Sequence, residues 1–235
     1  MPQNLTTIGF DADDTLWHNM KFYDLTESRF AELLREFAEP AHLSERLLAA
    51  ERRNLGLYGF GIKGFTLSMI ETAIEITDGR VPARLLGNIL DAGRDMLSHP
   101  VETLPHVQAA LEALAPSYRL VLITKGDLFD QERKVAASGL GEYFAGVEIV
   151  TDKTPDTYRR IFARHGEGAE QALMVGNSLK SDVVPAIHAG AWGVYVPHEI
   201  TWAIEHEIEP ATEPRYRRIA DLGGLPALVA ELGSA

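Results

Sequence analysis

The chain has 235 residues, 46% of them apolar, with a formal net charge of −12 and no cysteine. An acidic sequence with a pI near 5.1 argues against nucleic acid or an anionic membrane surface as partner, because the overall field repels both; the lack of thiols excludes disulfides, thiolate metal sites and cysteine nucleophiles. The first residues carry no basic or apolar signal region, and no later apolar run approaches the ~20 residues of a bilayer span, so a cytoplasmic protein is expected.

The first β-type run is Thr7-Ile8-Gly9-Phe10. From about Trp17 to His99 only helical spacing occurs: Phe22, Leu25, Phe30 and Leu34; then Leu43 and Leu47; then Phe65, Met69 and Ile74; then Leu85, Ile89, Leu90 and Leu97. Four such helices, broken at Pro40, at the glycines 56, 59, 61 and 64, and at Gly79 with Pro82, predict a small inserted bundle. Within it, Gly56 to Gly64 alternates glycine with aromatics and one lysine. That stretch is read as a mobile loop over the substrate, with Tyr58, Phe60 or Lys63 contacting the leaving group.

Further β-type runs follow at 119–123, 146–150, 172–175 and 193–196, each trailed by turn residues and a helical pattern. Continuous apolar runs suit parallel strands covered on both faces, and their alternation with helices predicts an α/β fold with a doubly wound parallel sheet. Residues 198–214 are polar and aperiodic; an edge element near Arg217 and Arg218 and a helix from Gly224 or Leu225 to Leu232 come after them. The expected division is a core of residues 1–16 and 100–235 and a helical insertion of residues 17–99.

In an open parallel sheet, ligands collect beyond the carboxyl ends of the strands. There the runs end on Asp11 and Asp13, on Thr124-Lys125-Gly126-Asp127, on Thr151-Asp152-Lys153, and on Gly176-Asn177-Ser178-Leu179-Lys180-Ser181-Asp182. Carboxylates, a hydroxyl and lysines converging on one crevice describe a phosphate site with a hard cation. Mg2+ takes oxygen ligands including one or two carboxylates, and Asp11 and Asp182 suit that role. Lys153 supplies positive charge to the phosphate, with Lys125 and Lys180 as nearby rivals, and the Thr124 hydroxyl donates to a further oxygen. Asp14 and Asp127 read as turn or helix-capping residues, and His18 as part of the hinge into the helices.

As a set these residues resemble the four motifs of the haloacid dehalogenase-like (HAD) hydrolase superfamily. Asp11-x-Asp13-x-Thr15-Leu16 is similar to the first motif, Thr124 to the second, Lys153 to the third, and Gly176-Asn177-Ser178-x-x-Ser181-Asp182 to the fourth. The resemblance implies a Rossmann-like HAD core with the helical insertion as a C1-type cap, in which Tyr58 and Lys63 read the substrate. It implies an Mg2+-dependent phosphohydrolase of a small phosphorylated metabolite. Asp11 would form an aspartyl-phosphate, Asp13 would protonate the leaving oxygen and then activate water, and Thr124, Lys125 and Lys153 would bind the phosphate. The metal would fall to Asp11, Asp13, Asp182 and Asn177. A free aspartic acid, with a pKa of about 3.9, is protonated in roughly one molecule per thousand at neutral pH, so the site is expected to raise Asp13, the like charge of Asp11 being one means.

Haloacid dehalogenases of the superfamily need neither the metal nor a second acid in the first motif, so Asp13 with Asp182 favours phosphoryl chemistry. One departure is Asn177, where many relatives carry aspartate; its amide oxygen can still accept from a metal-bound water. Three alternatives stay open: a phosphotransferase or mutase; a phospho-acceptor signalling module, although such modules are shorter and lack a cap; and a catalytically silent binding protein, at which Asn177 hints.

Overall fold

The computed structural model describes residues 5–234. Its sheet has six strands, β1 (Thr7–Phe10), β2 (Arg119–Lys125), β3 (Gly146–Val150), β4 (Ala172–Gly176), β5 (Trp192–Tyr195) and β6 (Tyr216–Arg218), in the order β3-β2-β1-β4-β5-β6. Every pairing is parallel. β1 is therefore central, with Phe10 opposite Leu122 on one side and Val175 on the other, and chain order reverses between β1 and β4. All strands deliver their carboxyl ends to one edge of the sheet, which is where a doubly wound fold places its ligands.

Side chains alternate between the two faces of each strand. Ile8, Phe10, Leu120, Leu122, Leu173 and Val175 join α5 (Val107–Leu114) and α9 (Leu225–Ser234) in one core. Val121, Ile123, Ala172 and Met174 join α7 (Pro155–His165) and α8 (Val184–Ala189) in another. Both faces are covered, which is why these strands read as unbroken apolar runs. The α/β doubly wound sheet is thus as the sequence predicts. Four strand ends differ from expectation: β4 takes in Gly176 and β5 stops at Tyr195, which pair with each other, and the other two are in β2 and β5. Thr124 and Lys125 still pair with Ile149 and Val150, so β2 runs two residues further, and β5 begins at Trp192 because that residue pairs with Leu173.

The chain divides into two compact units. One contains the sheet and comprises the chain up to His18, Val101–Lys125 and the chain from Glu132 onward; the other comprises Asn19–Pro100 with Gly126–Gln131. The second unit holds α1 (Met20–Leu34), α2 (Pro40–Tyr58), α3 (Ile62–Ile76) and α4 (Ala83–Ser98), whose apolar stripes meet in a core of Phe30, Leu34, Leu43, Leu47, Ile62, Phe65, Met69, Ile89 and Met96. Pro40 opens α2, a position where its missing N–H costs nothing.

The glycine-rich segment holds less loop than its composition suggests. α2 runs to Tyr58 and α3 starts at Ile62, so Gly56 and Gly64 lie inside helices. Only Gly59 and Gly61, at φ 73° and 121°, use backbone that glycine alone adopts readily. Burial of Ile62 and Phe65 outweighs the ~1 kcal/mol that an internal glycine costs a helix. Among the described residues no helix is long and apolar enough to cross a membrane.

Candidate active site

Directly after β1 the chain turns back on itself. The amides of Thr15 and Leu16 bond to the carbonyl of Ala12, and Asp14, at φ 61°, donates its amide to the carbonyl of Trp17. Aspartate tolerates this left-handed conformation better than most residues. The turn leaves Asp11 6% exposed and directs its two oxygens to different donors. Thr15 Oγ1 donates to Asp11 Oδ2 at 3.0 Å, and Lys153 Nζ donates to Asp11 Oδ1 at 2.5 Å.

Lys153 is placed by the start of α7, where Thr154 accepts from the amide of Thr157 and Pro155 takes the first helical position. Its ammonium reaches a second buried carboxylate, Asp182 Oδ1, at 2.6 Å. Asp182 arrives on a π-helical turn, Leu179–Val183, and its Oδ2 accepts from the amide of Ser178 at 2.9 Å. That carboxylate lies flat on Gly176, where an added Cβ would fall 2.3 Å from Oδ2. Glycine at the end of β4 is therefore a requirement of close approach.

One ammonium thus serves two buried carboxylates. Burial, then the charge of Asp182, pushes the Asp11 carboxyl up to about 7, against the opposing pull of Lys153. Burial alone would lower Lys153, but Asp11 and Asp182 outweigh it and hold the ammonium above its ordinary value. The two shifts agree once the stoichiometry is counted: a single cation cannot offset the burial of two anions.

Asn177 follows Gly176 and donates its amide to Thr15 Oγ1 at 3.0 Å. The hydrogen-bond pattern orients its side-chain nitrogen towards Asp11 Oδ2 and the Asp13 carbonyl, each at 3.2 Å. Rotating the amide by half a turn would bring three oxygens together instead, from Asp11, the Asp13 main chain and Asn177. An all-oxygen set of that kind fits Mg2+. No group of three or more His, Asp or Glu side chains gathers for a metal among the described residues. A cation here would draw on a main-chain carbonyl and an amide as well as on Asp11.

The remaining expected residues are more dispersed. Asp13 accepts from Trp17 Nε1 at 2.8 Å and from Lys134 Nζ at 2.9 and 3.1 Å, so a cation and an indole hold the second aspartate. Thr124 is 1% exposed, with its hydroxyl bonded to the Lys125 carbonyl at 3.3 Å. Lys125 is directed to Ser181 Oγ at 2.7 Å and to Glu205 Oε1 at 2.8 Å. Asp14 faces His198 Nε2 at 3.5 Å, and the rings of His198 and His18 meet edge to face at 5.9 Å. In the helical unit, Tyr58 ends α2 and is 53% exposed, and Lys63, in the first turn of α3, pairs with Asp127 at 2.9 Å. Asp127 also accepts from the amide of Asp130 and so caps α6 (Leu128–Ser138), as its sequence position suggests.

Sequence reasoning passed over four residues that shape this site. Thr15 was noted only as part of a motif, Trp17 only as the start of the helical stretch, Lys134 was not singled out, and Glu205 fell in an aperiodic stretch. No local pattern marked Lys134, which is buried on the same face of α6 as Gln131.

A doubly wound sheet whose central strand ends on a buried, lysine-paired aspartate puts a candidate active site at the carboxyl edge of an α/β fold. The chain belongs to the haloacid dehalogenase-like hydrolases, the sequence model of which matches residues 5–190. A haloacid dehalogenase-like family hydrolase from Xanthomonas campestris is similar over 99% of this chain and 93% of its own, at 44% identity and a TM-score of 0.89. A putative HAD-hydrolase from Bacillus subtilis, bound to magnesium, is 16% identical over 96% and 99% of the two chains, with a TM-score of 0.67. An L-2-haloacid dehalogenase from Xanthobacter autotrophicus, with chloropropionic acid covalently bound, is 18% identical over 96% and 98%, also at 0.67. The last two share the fold. Comparison with curated proteins gave no match.

Proposed function

We propose that this hydrolase cleaves a small phosphomonoester through an aspartyl-phosphate on Asp11. The observation that carries this reading is the seating of Asp11. Lys153 at 2.5 Å fixes one carboxylate oxygen and Thr15 at 3.0 Å the other, while Asp13 lies two residues on in the same turn. A nucleophile so held is oriented for in-line attack.

In the first step a carboxylate oxygen of Asp11 bonds to phosphorus as the ester oxygen leaves, and Asp13 gives that oxygen a proton. In the second step Asp13 takes a proton from water, which attacks the same phosphorus and returns Asp11 as a carboxylate. Lys153 remains protonated and offsets negative charge throughout, and the Thr124 hydroxyl at the end of β2 is the donor for a non-bridging oxygen. Mg2+, held by Asp11, the Asp13 carbonyl and Asn177, supplies charge neutralisation to the phosphoryl oxygens when bound. Asp182 acts through Lys153, because its two oxygens are engaged by Lys153 and by the amide of Ser178.

A second reading is halide displacement by Asp11 without a metal. The neutral side chain of Asn177, where many relatives carry aspartate, favours it. The two separate in one experiment: phosphate released from an aryl phosphate with and without Mg2+, beside halide released from 2-chloropropionate. Mg2+-dependent phosphate release alone is expected. Halide release that ignores a chelator would overturn the phosphatase reading.

A further inference from the structure

Residues 198–214 follow β5 without periodic pattern, yet one side chain from them returns to the strand ends. Glu205 Oε1 lies 2.8 Å from Lys125 Nζ, and Oε2 accepts from Ser178 Oγ at 2.6 Å and from Ser181 Oγ as well. Lys125 also donates to Ser181 Oγ at 2.7 Å. The neighbouring carbonyl of Ile204 accepts from Lys180 Nζ at 2.8 Å, so the same turn is held twice. Burial alone would push the Glu205 carboxyl up, but Lys125 and the two serine hydroxyls hold it below the usual carboxylate range.

The partners of Glu205 are the residues that shape the π-helical turn. Ser178 is its cap and accepts from the amide of Ser181 at 2.9 Å, and the amides of Asp182 and Val183 both bond to the carbonyl of Ser178. A π-turn is rare and is frequently found at functional sites. Here it carries Asp182 onto Gly176 and against Lys153. A mostly buried ion pair is weak support for a fold, since well-packed apolar residues commonly do as well. Its geometric consequence is specific: the carboxylate ties both hydroxyls of the turn and the lysine of β2 together.

We propose that Glu205 is a positioning residue of the active site: by accepting from Ser178, Ser181 and Lys125 it fixes the 179–183 turn, and through Asp182 and Lys153 it sets the orientation of Asp11. The proposal rests on Asp11 being the nucleophile. It assigns a role to a segment with no motif, and it makes Lys125 part of the clamp.

The test combines amide hydrogen exchange with steady-state kinetics on Glu205→Gln, Glu205→Leu and, as a control, Glu207→Gln at an exposed position of the same segment. Glu205→Gln keeps one acceptor oxygen and loses the ion pair; Glu205→Leu loses both. The amides of Ser181, Asp182 and Val183 are expected to exchange faster in both Glu205 variants, more so in Glu205→Leu, with β1 unchanged. For aryl phosphate hydrolysis, kcat should fall by about 10²-fold in Glu205→Leu, as for a misplacement near 1 Å, and less in Glu205→Gln, while KM stays nearly constant. The control should match wild type in both measurements. Unchanged exchange in the turn, or faster exchange with full kcat, would overturn the proposal. A wild type that hydrolyses no phosphate ester refutes the phosphatase reading instead; the clamp then stands or falls on exchange in the turn.

Discussion

Nζ of Lys153 lies 2.5 Å from Oδ1 of Asp11, and the same nitrogen lies 2.6 Å from Oδ1 of Asp182. All three side chains are almost wholly removed from water, so the ammonium does more than orient Asp11: it keeps two like charges from facing each other. Lys153→Met should destabilise the protein by about 3–5 kcal/mol, the usual consequence of leaving buried charge unpaired. Adding Asp182→Asn to that variant should restore part of the loss. Denaturant unfolding of the two variants measures this directly, and a double variant no more stable than the single one would contradict the shared-cation account.

The pH dependence follows from the same triad. Burial and Asp182 raise the Asp11 carboxyl to about 7 against Lys153. A carboxyl raised by folding contributes stability that is complete below its unfolded value of about 4, and that stability is lost as pH rises through the folded value. With chelator present, wild type should therefore lose stability between about pH 4 and 7 relative to Asp11→Asn, by an amount on the order of a few kcal/mol. Thermal unfolding at pH 5 and pH 8 gives the comparison. An equal difference at both pH values would refute it.

Gly176 offers a test of packing without a change of charge. A Cβ there would sit 2.3 Å from Asp182 Oδ2 and 2.4 Å from its Cγ, so Gly176→Ala must move the carboxylate that holds Lys153. The expected cost is about 1–3 kcal/mol of stability, with a proportionally larger loss of turnover. Activity per folded molecule that remained at the wild-type level would show that the Asp182 position is not critical.

Lys134 pairs with Asp13 across 121 residues of sequence, and Trp17 Nε1 donates to the same carboxylate at 2.8 Å. Lys134→Met should leave Asp13 without its cation and lower kcat by about 10- to 100-fold, a part of what general acid-base catalysis supplies, with KM little changed. Steady-state kinetics would decide. A rise in KM alone would place Lys134 in substrate binding.

Much of this site was legible because strands covered on both faces leave a simple record. Apolar runs end abruptly, and the polar residues just beyond Phe10, Val150 and Gly176 lie at one sheet edge. Asp11, Lys153, Asp182 and Asn177 were found in that way, and the structure gathers them. Lys125 sits as close in sequence to the site as Thr124 does, but its charge goes to Glu205, and no local pattern announces a partner 80 residues away. Lys134 was hidden because a lysine on an amphipathic helix ordinarily faces water, and here it is 7% exposed. The glycines from 56 to 64 misled for the opposite reason: local composition implied a loop, while core packing of Ile62 and Phe65 extended the helices over two of them.

The central claim is that Asp11 carries the phosphoryl group, and chemical trapping addresses it without knowledge of the natural substrate. Enzyme quenched during turnover of acetyl phosphate with Mg2+, reduced with borohydride and digested should contain homoserine at position 11, since borohydride reduces an aspartyl-phosphate to that residue. Homoserine at position 11 in wild type, and none in Asp11→Asn, is the predicted result; an unmodified Asp11 during sustained phosphate release, or modification at another aspartate, would contradict it.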